Sequence, residues 1–343
     1  WSSDVCSSDR ALFMSMGLGM RNYPLMLLFY GIRGLAYPMF IYSFMLMLVQ
    51  VLPRPNLAAA TGWFWAMYSI GIGVVGSYLP SLTIPMFGET GTLWFAIVWV
   101  GCGGLVAFFS LRNVPVDRSR VNLPLRDKMT ELSRAGTILF TNRDIFYACL
   151  IRIINTLSLF GFAIVMPLLF VDRLGFSISE WLQIWAVFFF VTIFTNIFWG
   201  ITGEYIGWIR QVRWFGCLGM AISSLTFYYL PVYAGHNFAV ALIPAIMLGI
   251  FVAAFVPMTA VFPTLEPHHK GAAVSIYNLS AGMSNFVAPA IASALLPFFD
   301  IVGVVWAYTG LYIFAGVLTF IIKVPQPKRV RQGRSPEEVE QSV

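Results

Sequence analysis

Leu27 to Met47 reads LLFYGIRGLAYPMFIYSFMLM, an apolar run of 21 residues with one full charge, Arg33, near its start. As a helix it is long enough to cross a hydrocarbon core of about 30 Å. An arginine at the centre of such a helix costs roughly 2.5–3.5 kcal/mol, while each Leu, Ile, Phe or Val returns about 0.3–0.6 kcal/mol. The run can still insert, but Arg33 must reach water or protein. It can snorkel to the interface beside the polar Met20–Arg21–Asn22 turn, or it can face a polar cavity. Tyr30, Arg33 and Tyr37 fall at i, i+3 and i+7, one helical face with a donor fork between two phenols, which favours a cavity wall over plain packing.

The whole chain shares this character. Of 343 residues, 59% are hydrophobic and 10% charged, and the mean hydropathy is +0.78, too apolar for one water-soluble core. An all-α polytopic membrane protein follows. The net charge of +6 does not point to nucleic acid, because the basic residues sit in the turns between apolar runs, where membrane orientation explains them. Cys6, Cys102, Cys149 and Cys217 lack metal-ligand spacing, and three of them lie in apolar runs as small hydrophobes. His236, His268 and His269 lie in or beside loops, so neither a metal nor a cofactor is called for.

Residues 1–10, WSSDVCSSDR, repeat SSD and begin with Trp; they read as a foreign junction. After a short stub from Ala11, nine spans are predicted, at 24–52, 58–80, 92–112, 144–171, 178–201, 211–231, 238–262, 271–297 and 301–323. The hydrophilic stretch 113–143 divides them into an N-terminal bundle, 11–112, and a six-span C-terminal bundle, 144–323, followed by a polar tail, 324–343. In alternate turns, sixteen Lys and Arg fall on the side of the connector and tail, against only Arg21 and Arg173 on the other. That bias puts the connector and the C-terminus in the cytoplasm.

An internal repeat relates the two bundles. Gly62, Tyr68, Gly73 and Pro80 recur as Gly271, Tyr277, Gly282 and Pro289 at an offset of 209. Gly91, Trp94, Gly104 and Phe108 recur as Gly303, Trp306, Gly316 and Phe320 at an offset of 212, and Gly31, Ile32 and Ala36 align with Gly249, Ile250 and Ala254. Three consecutive spans match in one order and one direction, a parallel repeat. If the halves are equal, about 80 residues, two spans and most of a third, precede Ala11. On that expectation the chain as it stands does not transport, whereas the protein carrying those spans does.

Further polar faces interrupt the apolar runs. Arg152, Asn155 and Thr156 share a face of the span 144–171; Arg152 either snorkels or lines a cavity, and Asn155 lies too deep to face lipid. Trp185, Phe189, Thr192 and Asn196 line a face of the span 178–201, where Trp185 can stack on a CH face of a ligand and Trp181 marks the membrane interface. Ser275, Asn278, Gly282 and Asn285 form a stripe beside Tyr277, serving either ligand hydroxyls or helix association, and Tyr68 is the repeat partner of Tyr277. Gly71, Gly73 and Gly76 fit GxGxxG but have no preceding strand, so close helix packing is the better reading.

These features resemble the major facilitator superfamily, two six-span bundles joined by a connector. Gly200, Glu204, Gly207 and Arg210 are similar to that superfamily's loop motif, a gating element, although Tyr205 and Trp208 stand where basic residues are usual. FPTLEPHHKG before the span at 271 is similar to its linker. More narrowly, YGIRGLAYPMFIYSF, RIINTLSLFGFAIVMP, EWLQIWAVFFF, GIFVAAFVPMTAVFP and SIYNLSAGMSNFVAPAIA resemble bacterial polyol permeases, with similarity from Ala11 to about Pro325. The resemblance implies a monomeric, proton-coupled symporter of a pentitol such as ribitol or D-arabinitol in the bacterial inner membrane. It also implies an acidic residue in a span ahead of Ala11 that pairs with Arg33 and carries the proton.

Two other function classes fare worse. An intramembrane enzyme lacks mid-span His, Asp or Glu and any HExxH or GxSxG motif. A channel or scaffold does not explain two related halves with polar faces in each, which suit alternating access. Within transport, Arg33 and Arg152 without a carboxylate partner keep an organic anion, a keto acid or dicarboxylate, as the alternative substrate. The predicted binding set is Tyr30, Arg33, Tyr37, Tyr68, Arg152, Asn155, Trp185, Asn196, Tyr277, Asn278 and Asn285.

Overall fold

A computed structural model describes residues 67–111, 136–267 and 269–324. The predicted span 24–52, with Tyr30, Arg33 and Tyr37, lies outside the described residues. The others appear as helices: α1 (Met67–Gly88), α2 (89–111), α3 (Arg143–Asn155), α4 (Leu157–Pro167, continued by a π turn to Arg173), α5 (Ile178–Ile206), α6 (Trp208–Ala234), α7 (Phe238–Leu265), α8 (270–299) and α9 (301–321). No strand occurs among the described residues. The apolar runs set these lengths, since a helix satisfies its own backbone where no water can.

The boundaries differ from expectation in two places. Helix α1 runs past Pro80 to Gly88, with Pro85 also inside, because a proline within the membrane need not end a helix when neighbours support it. The span predicted over 144–171 is broken: Asn155 closes α3, Thr156 adopts φ −105° and ψ 17°, and α4 begins at Leu157.

The repeat read from the letters recurs in the backbone. Gly88 between α1 and α2 has φ 69° and ψ 178°, and Asp300 between α8 and α9, 212 residues on, has φ 57° and ψ −170°. In both turns a glycine three residues later, Gly91 or Gly303, lies directly under a phenylalanine, Phe87 or Phe299. Asp300 holds this glycine-favouring conformation while its carboxylate takes a bidentate pair from Arg173, at 2.7 and 2.6 Å.

Small residues bring the helices together. A Cβ on Gly249 of α7 would lie 2.7 Å from the Phe188 carbonyl of α5, and Thr195 and Trp199 of α5 donate to the carbonyls of Gly249 and Ile250. The two bundles meet where α1 packs on α5, with Gly73 against Phe189 and the glycines at 71–76 inside a π-helical turn. That contact fits helix packing and leaves no role for the GxGxxG match. The C-terminal bundle closes on an aromatic core of Phe162, Phe170, Phe176, Trp181 and Phe227, and rings such as Phe190, Phe194 and Phe198 point outward as a lipid-facing surface requires. Cys149 and Cys217 are buried as expected of small hydrophobes, whereas Cys102 is exposed.

Gly249→Val forces a branched side chain onto backbone and should destabilise the protein by about 1–3 kcal/mol. Gly310→Ala, where a Cβ meets nothing within 4 Å, should be neutral or slightly stabilising. Melting temperatures of the two purified variants in detergent check this; equal temperatures would contradict the packing described.

Candidate functional site

The break between α3 and α4 concentrates hydrogen-bonding capacity where a helix would normally hide it. Asn142 caps α3, accepting from the backbone N–H groups of Asp144 and Ile145, and its amide reaches Glu266 and the Leu265 carbonyl at the end of α7. Along its length α3 is fastened to α8: Ser280 Oγ donates to Cys149 Sγ at 2.9 Å, and Ser284 Oγ donates to the Ile153 carbonyl at 2.7 Å. The polar face lies at the far end of α3, around the last of these bonds.

Arg152 Nε and Nη1, Asn155 Oδ1 and Thr156 Oγ1 are all buried, and none has a hydrogen-bond partner among the described residues. Asn155 is 6% exposed. The guanidinium of Arg152 lies 4.8 Å from the centre of the Tyr277 ring, which packs edge-on against Phe262. Arg152 therefore points into protein instead of snorkelling. A buried polar atom without a partner costs about 1–3 kcal/mol, and four of them within five residues make this stretch the candidate site.

The other predicted residues are distributed differently. Tyr277 joins Arg152. Asn278 and Asn285 are exposed and stand roughly 150° round α8 from the Ser280 face that grips α3, so they do not reach the Arg152 cluster. Trp185 is 7% exposed and stacked with Trp181 and Phe188, at ring-centre distances of 5.3 and 5.2 Å. Its neighbours are core aromatics, and Trp181, expected at the membrane interface, lies in the same core at 5% exposure. Asn196 and Tyr68 are half-buried, on α5 and at the start of α1.

In the predicted loop motif, Gly207 adopts φ 105° in the turn from α5 to α6, a conformation that favours glycine. Gly200 and Glu204 lie on the last turns of α5, and Arg210 is exposed on the first turn of α6. Sequence reasoning missed two partners beside them: the fully buried Gln211 donates to the Ala254 carbonyl at 3.0 Å, and Arg213 donates to Thr319 of α9 at 2.8 Å. It also missed the break itself. The local signal is weak: Asn155, Thr156 and Ser158, three residues of low helix propensity, interrupt an apolar stretch around Leu157.

A family model, Major Facilitator Superfamily, matches residues 10–262 and again 148–342. The chain belongs to the Major Facilitator Superfamily. It is 62% identical to the ribitol transporter of Klebsiella pneumoniae over 316 residues, 92% of this chain and 74% of that protein. To the D-arabinitol transporter of the same species it is 63% identical, again over 92% of this chain and 74% of the other. The alpha-ketoglutarate permease of Bacillus subtilis is 39% identical over 92% of this chain and 72% of its own length. With six stretches long and apolar enough to span a bilayer among the described residues, the chain is a multi-pass membrane transporter of this superfamily, not an enzyme.

If Thr156 serves a ligand and not the fold, Thr156→Val should leave the unliganded melting temperature unchanged or raise it. Ser284→Ala, which deletes a bond between helices, should lower stability by about 1 kcal/mol. A loss for Thr156→Val as large as that for Ser284→Ala, in parallel melts, would place the threonine hydroxyl in the fold's own bonding.

Proposed function

We propose that this protein moves a small polyol, a pentitol such as ribitol or D-arabinitol, across the bacterial inner membrane by alternating access, as a monomer coupled to proton entry with its C-terminus in the cytoplasm. The break in the α3–α4 span carries the reading. Arg152 offers donors only, Asn155 Oδ1 only accepts, and the Thr156 hydroxyl does either. An alditol hydroxyl both donates and accepts, so neighbouring hydroxyls can satisfy all three side chains. A carboxylate only accepts, and would leave Asn155 Oδ1 buried without a donor. The higher identity to the ribitol and D-arabinitol transporters, 62% and 63% against 39% to the alpha-ketoglutarate permease, supports the same choice.

The organic-anion alternative rests on the 39% identity to the alpha-ketoglutarate permease and on the two guanidinium nitrogens of Arg152 without a carboxylate partner. In the polyol reading they hold hydroxyls, and Tyr277 shields the charge by lying across it. Rocking of the two bundles about the α1–α5 contact would open this site to either side in turn.

Uptake of labelled ribitol by cells making the full-length protein should be competed by unlabelled ribitol and D-arabinitol and abolished by a protonophore. Asn155→Ala should raise KM roughly five- to tenfold, the loss of one hydrogen bond, and Arg152→Ala more. Competition by alpha-ketoglutarate with none by pentitols would replace the polyol with the anion, and uptake indifferent to the protonophore would remove proton coupling.

A further inference from the structure

In an unbroken α-helix the Ser158 N–H would donate to the Ile154 carbonyl. Here it donates to the phenolic oxygen of Tyr312, at 3.1 Å, and the same hydroxyl donates to the Asn155 carbonyl, also at 3.1 Å. Tyr312 and Ser158 are both fully buried, so no water can substitute for either bond. One hydroxyl on α9 thus bridges the last residue of α3 and the second residue of α4.

Two further contacts hold the joint. Ser158 Oγ is 2.8 Å from Ser224 Oγ of α6, and one turn before Tyr312 on the same face of α9, Tyr308 lies against Gly161 and donates to the Ala288 carbonyl of α8 at 2.7 Å. Of these three side chains, Tyr312 is the one that hydrogen-bonds the backbone of the joint. Ser224 fastens a side chain, and Tyr308 braces the helix beyond it.

We infer that the Tyr312 hydroxyl is a positioning group for transport: by bridging Asn155 and Ser158 it keeps the span from straightening, and so aims Arg152, Asn155 and Thr156 together. Without it the Ser158 N–H either stays buried and unpaired or bonds to the Ile154 carbonyl. The second course winds Thr156 into a continuous helix and turns it relative to Arg152. This rests on reading that cluster as the substrate site, while the bridge itself stands on geometry alone.

Tyr312→Phe removes the bridge and keeps the ring; Tyr308→Phe removes a neighbouring hydroxyl from the same face and spares the joint. In the full-length protein, Tyr312→Phe should raise KM for ribitol about fivefold or more, with maximal rate per transporter within about twofold, and Tyr308→Phe should leave KM within about twofold. Hydrogen exchange of the amides at 154–160 in purified protein should change at least about threefold in Tyr312→Phe alone. Unchanged exchange and unchanged KM in Tyr312→Phe would overturn the inference with the polyol reading intact, as would an equal KM shift in Tyr308→Phe. Altered exchange in a protein whose parent takes up no pentitol would overturn the polyol reading and support the bridge.

Discussion

A membrane interior supplies no water, so every polar group placed there must find its partner within the protein or in something the protein carries. This single constraint orders the molecule. It makes the described chain helical, sends serine and threonine hydroxyls back to carbonyls of their own or neighbouring helices, and turns Trp199 and Gln211 towards backbone acceptors on α7. Against that background six buried side-chain atoms among the described residues lack a partner; Gln211 Oε1 and Ser223 Oγ are isolated, whereas the other four, on Arg152, Asn155 and Thr156, share one break in one span.

The break is held by the same rule. Straightening the span would pair Ser158 with Ile154 inside the helix; the structure instead pairs Ser158 and Asn155 with Tyr312 from α9. The Ser158 N–H and the Asn155 carbonyl each keep a partner, while four side-chain atoms just before the joint have none among the described residues. Around it, Gly161, Gly219 and Gly249 let rings or backbone approach so closely that a Cβ would collide, which keeps the C-terminal bundle firm while α1 and α5 form a separate contact between bundles.

Much of this was legible in the letters. Hydropathy located the spans, because length and composition alone decide whether a helix can cross a bilayer, and the glycine repeat reappears as two matching turns at Gly88 and Asp300. Arg152, Asn155 and Thr156 were legible because polar residues at helical spacing in an apolar run have few innocent explanations. The break was not, since it depends on Tyr312, more than 150 residues away. Trp185 could not be separated from a core aromatic by sequence, because stacking on a sugar and stacking on Trp181 ask for the same ring. Asn278 and Asn285 share a face with each other, and only the packing of Ser280 and Ser284 against α3 reveals that it is a different face from the one Arg152 uses.

The central claim is that the broken span presents its polar atoms to a bound polyol. A structure of the full-length protein solved with ribitol tests it most directly. Density for the alditol is expected within hydrogen-bond reach of Arg152 Nε or Nη1, Asn155 Oδ1 and Thr156 Oγ1. Ribitol bound elsewhere, with those atoms paired to one another or turned to lipid, would contradict it.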